Sequence, residues 1–268
     1  MSISAAVMIL CLVFSADGGE GNLEKNEPTF EIQQLSEIFT SEVSDFQPEE
    51  DYVQFVKQDI LSQVSGWSES QYFVYADRNP EKQLILVGFW DSGSRDISII
   101  GWDKISTGDP KHGKDYHLTP TGIFENTTDN VGYRARGTKN SKGWRGLGAK
   151  GSRVWDFGWQ KTFKPRKGKL EERTIRLLLH ATDPDQGELR LGKPDSKGCV
   201  RITAKLNKFL DHFGIIDAEY EKAEKEKPSW LLRKDRQPVE RAGRYLIVGD
   251  SAAATETAIA QNKQTTPD

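Results

Sequence analysis

Cysteine is nearly missing from this chain: of 268 residues only Cys11 and Cys199 are cysteines, and histidine occurs four times, at positions 112, 117, 180 and 212. Two isolated cysteines and scattered histidines offer no paired ligand spacing, so a zinc site is not expected. Long hydrophobic runs are missing as well. The apolar-leaning stretch Ala5 to Phe14 is ten residues long, too short to span a bilayer as a helix. There is no excess of positive charge either. The 37 Lys and Arg are outnumbered by 40 Asp and Glu, for a net charge of −3, which excludes a generally basic nucleic-acid binder. No internal repeat is visible.

What is present begins with the N-terminus. Ala5 to Phe14 suits the h-region of a secretory signal and is followed by small residues and Gly18-Gly19, although Met1 to Ser4 carries no Lys or Arg. Leu10 is too large for a lipobox ahead of Cys11. The expectation is a signal peptide over 1–19 and an exported mature chain, periplasmic or cell-wall associated, with no transmembrane anchor; a buried N-terminal strand or helix is the alternative. Removal of the signal removes Cys11. Cys199 is then a lone thiol in an oxidising compartment, a liability unless its reactivity is used.

Residues 20–66 read as a polar linker followed by a helical extension. Ile32, Leu35, Ile38 and Phe39 mark one helix. Val53, Val56, Ile60 and Val64 mark a second, with Pro48 near its first turn and Gly66 as its stop. These helices are expected to pack on the larger domain C-terminal to them, since some fifty residues alone would have a thin core. From Gln71 the period changes. Gln71 to Ala76, Leu84 to Trp90 and Ile97 to Lys104 are β-branched and aromatic runs separated by Asn79-Pro80 and Asp91-Ser92-Gly93-Ser94, the pattern of an antiparallel meander. Arg173 to His180 and Gly243 to Gly249 add strands, and Thr203 to Phe213 is a helix stopped by Gly214. Ala218 to Arg241 reads as an exposed charged helix and loop, and 251–268 as a disordered tail.

Charge is unevenly spread. Val131 to Lys169 holds twelve Lys and Arg against one acid, Asp156, together with Tyr133, Trp144, Trp155, Phe157 and Trp159. Read as a Gly-punctuated loop, this stretch could bind an anionic polymer or be no more than a solvated segment.

The chemistry points to Cys199. It lies in Ser196-Lys197-Gly198-Cys199-Val200-Arg201, nineteen residues after His180, which closes the apolar run Ile175 to Leu179. A thiol needs a base to become a nucleophile at neutral pH, and imidazole supplies one. A helix starting shortly after Cys199, with Lys197 and Arg201 nearby, would lower the thiol pKa. Backbone N–H groups of Gly198 and Cys199 could hold an oxyanion. His112, His117 and His212 have weaker claims.

The arrangement resembles the L,D-transpeptidase catalytic domain (YkuD-like). That family carries a His, about fifteen residues, then Ser/Thr-His-Gly-Cys, an apolar residue and Arg or Asn. Here fifteen residues separate His180 from Ser196, and Lys197 stands where the family usually has His. Thr119-Pro120-Thr121-Gly122, Leu191-Gly192 and the strand Tyr245 to Val248 follow the family order.

The resemblance implies a mainly β fold with flanking helices, a β-sandwich or barrel catalytic domain over 67–250 carrying the N-terminal helical extension. It implies Cys199 as nucleophile and His180 as base, with Gly198, Ser196 and Arg201 in support and neither a metal nor an organic cofactor. Lys197, Trp144, Arg145 and Trp155 are candidates for a substrate loop. The implied partner is the peptidoglycan stem peptide, the implied reaction a 3→3 crosslink through a thioester with release of D-Ala, and a carbapenem would be expected to acylate the thiol. An L,D-carboxypeptidase, a hydrolase of crosslinks or wall-anchored proteins, and a catalytically silent wall-binding protein stay open, as does the oligomeric state.

Overall fold

The computed structural model describes residues 27–166, 169–224 and 230–253. The expected signal peptide, Cys11 and most of the expected tail lie outside these residues. Among them, no helix is long and apolar enough to cross a membrane.

Two sheets form. The first has the order β3-β2-β1-β9-β4 and is built from β1 (Gln71–Asp77), β2 (Leu84–Asp91), β3 (Asp96–Lys104), β4 (Gly122–Glu125) and β9 (Tyr245–Gly249). The second has the order β5-β6-β7-β8, from β5 (Tyr133–Arg134), β6 (Arg153–Arg166), β7 (Lys169–Ala181) and β8 (Val200–Ile202). Helices are α1 (Glu27–Glu42), α2 (Glu50–Val64), α3 (Ala204–His212) and α4 (Ala218–Glu224). The fold is mixed α/β and rich in strand, and among the described residues neither sheet closes into a barrel.

The meander β1-β2-β3 forms as its period and turn residues indicate. The sheets are not wholly antiparallel, however: β9 adds to β1 in parallel and β8 to β7 in parallel. Strands buried on both faces explain the near-continuous apolar runs. Tyr72, Val74 and Ala76 of β1 face the main core with Ile85, Val87, Leu246 and Val248. The alternate residues Phe73 and Tyr75 face Tyr52, Val56, Ile60 and Val64 of α2. The main core is closed on its far side by Trp155, Leu177, Leu179, Val200 and Ile202 of the second sheet, and by α3.

Helix α1 begins inside the expected linker and sends Leu35 and Phe39 into the main core. Gly101 makes room for it, since a Cβ there would lie 2.2 Å from Phe39 Cδ1. The stretch 218–241 is less exposed than its charge indicates. Tyr220, Leu231 and Leu232 form a buried cluster of their own, and Arg134 reaches it by donating to the Leu231 carbonyl and pairing with Asp211. The expected tail also starts too early. Ser251 is buried, and its hydroxyl donates to Asp77 Oδ2 at 2.6 Å.

The basic stretch 131–169 is the largest departure from expectation. It is not one loop but holds β5, all of β6 and the first residue of β7. Five of its twelve cations are taken up by partners: Arg134 by Asp211, Arg145 by Asp185, Arg153 by Asp217, Lys161 by Glu172 and Lys164 by the Gly113 and Lys114 carbonyls.

Candidate active site

The second sheet places the two residues singled out by the sequence. Leu179 pairs with Val200, and His180 with Arg201, in parallel register. Leu179, Val200 and Ile202 belong to the core, so His180 and Arg201 stand on the opposite face. Cys199 lies one residue before β8. Continuing the register sets it beside Leu178, whose backbone N–H approaches the thiol. Cys199 and His180 are therefore diagonal neighbours on one face of adjacent strands, a backbone spacing of about 7–8 Å that side chains can bridge.

The imidazole is fixed in one tautomer. His180 Nδ1 lies 2.7 Å from the Ala181 carbonyl oxygen. A carbonyl only accepts, so Nδ1 carries the proton and Nε2 keeps the lone pair a base needs. Burial, with the charge of Arg201 acting in the same sense, lowers the His180 pKa to about 4, so the ring is neutral at pH 7. The thiol is also neutral. Burial pushes the Cys199 pKa above its ordinary value, only partly offset by the Leu178 N–H and the Arg201 guanidinium. The expected helix N-terminus is not there to lower it: Cys199 leads into β8, and α3 begins at Ala204. The resting pair is thiol and imidazole, not thiolate and imidazolium.

The loop ahead of Cys199 is held from several sides. Ser196 Oγ accepts from Gly198 N at 2.9 Å and donates to the Cys199 carbonyl at 2.6 Å. That corrects one expectation: the Gly198 N–H is engaged by Ser196 and is not free to hold an oxyanion. Gly198 has φ +129°, and a Cβ there would lie 2.5 Å from Ile175 Cδ1, so glycine is required. Arg201 Nη1 donates to the Asp195 carbonyl at 3.0 Å and to its Oδ2 at 3.1 Å, which ties the loop to β8. Thr119 completes the support, its Oγ1 accepting from Gly108 N at 2.8 Å where Gly108 passes against Gly198. The Thr-Pro-Thr-Gly segment thus braces the loop and then runs into β4.

Two hollows flank this face. One, of about 440 Å³, is lined by Lys142, Trp144, Arg145, Lys197 and Arg201 among others, and so gathers four of the sequence-derived candidates. Lys197 is exposed, with Nζ 5.8 Å from the centre of the Tyr116 ring, and the Arg190 guanidinium lies 4.5 Å from the Trp144 ring. The other, of about 710 Å³, is lined by Tyr133, Arg136, Gly148 and Trp230 among others and shares Gly146 with the first. Trp155 is not at the site. It is fully buried in the core, with Nε1 donating to Asp217 Oδ1 at 3.0 Å.

Residues that sequence reasoning passed over include Asp195, Asp183 and Asp156. Asp183 accepts from the N–H groups of Arg145, Asp185 and Gln186, which hold its carboxyl below the usual range. This acceptor anchors the wall of the smaller hollow, and its place three residues after His180 was the available signal. Asp156, the single acid of the basic stretch, receives Arg176 Nε at 2.7 Å; burial, then its negative charge, raises the Tyr133 pKa. Among the described residues no group of three or more His, Cys, Asp or Glu is placed to hold a metal.

No protein-family model and no curated protein matches the chain. Among solved structures it is similar to a fused Zn-dependent amidase/peptidase/peptidoglycan-binding domain-containing protein from Clostridium acetobutylicum, at 14% identity and a TM-score of 0.30, over 76% of this chain and 65% of that one. The chain thus spans about two thirds of that protein's length. A likeness this slight carries no activity across.

Proposed function

We propose that the protein is a cysteine-dependent acyltransferase of the L,D-transpeptidase type, acting on peptidoglycan stem peptides after export. The observation that carries this reading is the placement of Cys199 and His180 on one face of adjacent parallel strands, with His180 in the tautomer a base requires. Cys199 Sγ attacks the carbonyl of the third stem residue. The S–C bond forms and the bond to D-Ala breaks, while the thiol proton passes through His180 Nε2 to the leaving amine. The resulting thioester is attacked by the amine of a second stem: a C–N bond forms, the C–S bond breaks and a proton returns to sulfur. Because both resting partners are neutral, proton transfer accompanies attack. Once the Gly198 N–H is engaged by Ser196, the Cys199 N–H is the backbone donor of this motif left to meet the oxyanion.

The two hollows, with Gly146 in the lining of both, support transfer between two bound stems over attack by water alone. Lys197, in place of the family His, turns a cation into the smaller hollow, where a stem carboxylate would be met. The test is mass spectrometry of disaccharide-tetrapeptides incubated with the protein. A dimer lacking one D-Ala is expected; tripeptides alone would mean a carboxypeptidase, and unchanged substrate would refute the enzyme.

A further inference from the structure

The paired strands β6 and β7 run well past the rest of their sheet as a two-stranded ribbon, and its polarity is inverted. The side that packs on the loop 109–118 is polar: Thr162 Oγ1 donates to the Leu118 carbonyl at 2.5 Å, and Lys164 Nζ donates to the Gly113 and Lys114 carbonyls. The outer side carries Trp159, Phe163 and Leu170, which are 67%, 46% and 64% exposed. A ribbon turned to water ordinarily shows the opposite pattern, and several large apolar side chains exposed along one side of a ribbon mark a binding surface.

This side is the face of Cys199 and His180. Arg176, Leu178 and His180 alternate along one side of β7. Trp159 pairs with Arg176, and Phe163 with Glu172 four residues further out, so both share that side. Two inter-strand spacings and two residues of rise separate Trp159 from Cys199, a backbone distance of about 12 Å. Both cations on this side of the ribbon are neutralised: Lys161 Nζ lies 3.1 Å from Glu172 Oε1, and Arg176 Nε lies 2.7 Å from Asp156 Oδ2. Aromatic side chains interleaved with closed ion pairs suit an uncharged polymer with flat apolar faces and many hydroxyls better than an acidic peptide or an anionic lipid surface.

We infer that the outer face of the β6–β7 ribbon, centred on Trp159 and Phe163, is a docking surface for the glycan strand of the polymer whose stem peptides reach Cys199. This rests on the function proposed above. The reach agrees: three extended residues span at most about 11 Å, which brings the third stem carbonyl from a sugar seated at Trp159 to the thiol.

The test measures binding alone, so it does not depend on turnover. Cys199→Ala protein is titrated with soluble glycan strands stripped of their stems, with sugar-free tetrapeptide and with anionic phospholipid vesicles, and its mass in solution is measured in parallel. Saturable binding to the stripped glycan is expected. It should weaken at least about tenfold in Trp159→Ser/Phe163→Ser, a loss of about 1.4 kcal/mol, and largely return in Trp159→Tyr/Phe163→Tyr. Thermal unfolding of each variant checks that the ribbon is still folded. The inference is overturned if stripped glycan binds wild type and the serine variant alike or binds neither. It is equally overturned if the serines abolish vesicle binding or split a dimer instead. Failure of the wild type to process stems would sink the proposed reaction while leaving this binding result to stand.

Discussion

Protonating His180 should destabilise the fold by an amount that can be worked from its surroundings. In an unfolded chain the imidazole titrates near 6.5, whereas in the folded protein burial holds it to about 4. Between these values the unfolded chain binds a proton that the folded chain refuses, so acid favours unfolding. The stabilisation is complete above pH 6.5 and is lost as the pH falls toward 4. The full displacement is worth about 3 kcal/mol, and about 2 kcal/mol of it is gone by pH 5. Urea unfolding of wild type and His180→Gln at pH 7.5 and pH 5.0 isolates this contribution, because every other titrating group is shared. Wild type should lose about 2 kcal/mol more than the variant between the two conditions. Parallel losses would refute the argument, since they would mean that His180 is solvated or already paired with an anion.

Other outcomes rest on particular contacts. Cys199→Ala should abolish turnover of tetrapeptide stems while its melting temperature stays close to wild type. Alkylation of Cys199 by iodoacetamide should accelerate with pH until above the titration range of a free thiol, because burial raises its pKa; a rate that levels off below pH 7 would show a preformed thiolate. Phe39→Ala should cost about 3–5 kcal/mol in chemical unfolding by emptying the socket over Gly101. Asp217→Ala should cost a similar amount, about 3–5 kcal/mol, by leaving the Arg153 guanidinium buried without its partner 3.0 Å away.

Much of the fold is legible in the residues, and the failures have physical causes. The strands β1 to β3 show in the sequence because β-branched and aromatic runs alternate with turn residues. The helix α3 shows through its apolar face and the stop at Gly214, and the structure adds a cap at Thr203, whose hydroxyl accepts from Leu206 N. The pairing of His180 with Cys199 is readable from spacing and resemblance, and the register of β7 and β8 gives it a spatial basis. Strands β5 and β6 are hidden because their cations look solvated in sequence, whereas the partners lie far along the chain: Asp211 for Arg134 of β5 and Asp217 for Arg153 of β6. Trp155 is misplaced for the same reason, a core residue inside a run of charge. The direction of the thiol's shift is misread because local cations are visible in sequence and burial is not.

One extra residue in β6 decides what the Cys199 side of the molecule looks like. Between the pairs Asp156–Leu178 and Trp159–Arg176, β6 advances three residues while β7 advances two, and Gly158, at φ +74°, absorbs the surplus. A strand has only two phases, and this bulge switches β6 from one to the other. Were the same residues paired without the bulge, Gly158 would stand opposite Arg176, and the ribbon beyond would turn Gln160, Thr162 and Lys164 toward the side of the thiol and Trp159 and Phe163 toward the loop 109–118. The parity of a single strand, set at one glycine, thus determines whether the surface leading to Cys199 is aromatic or polar.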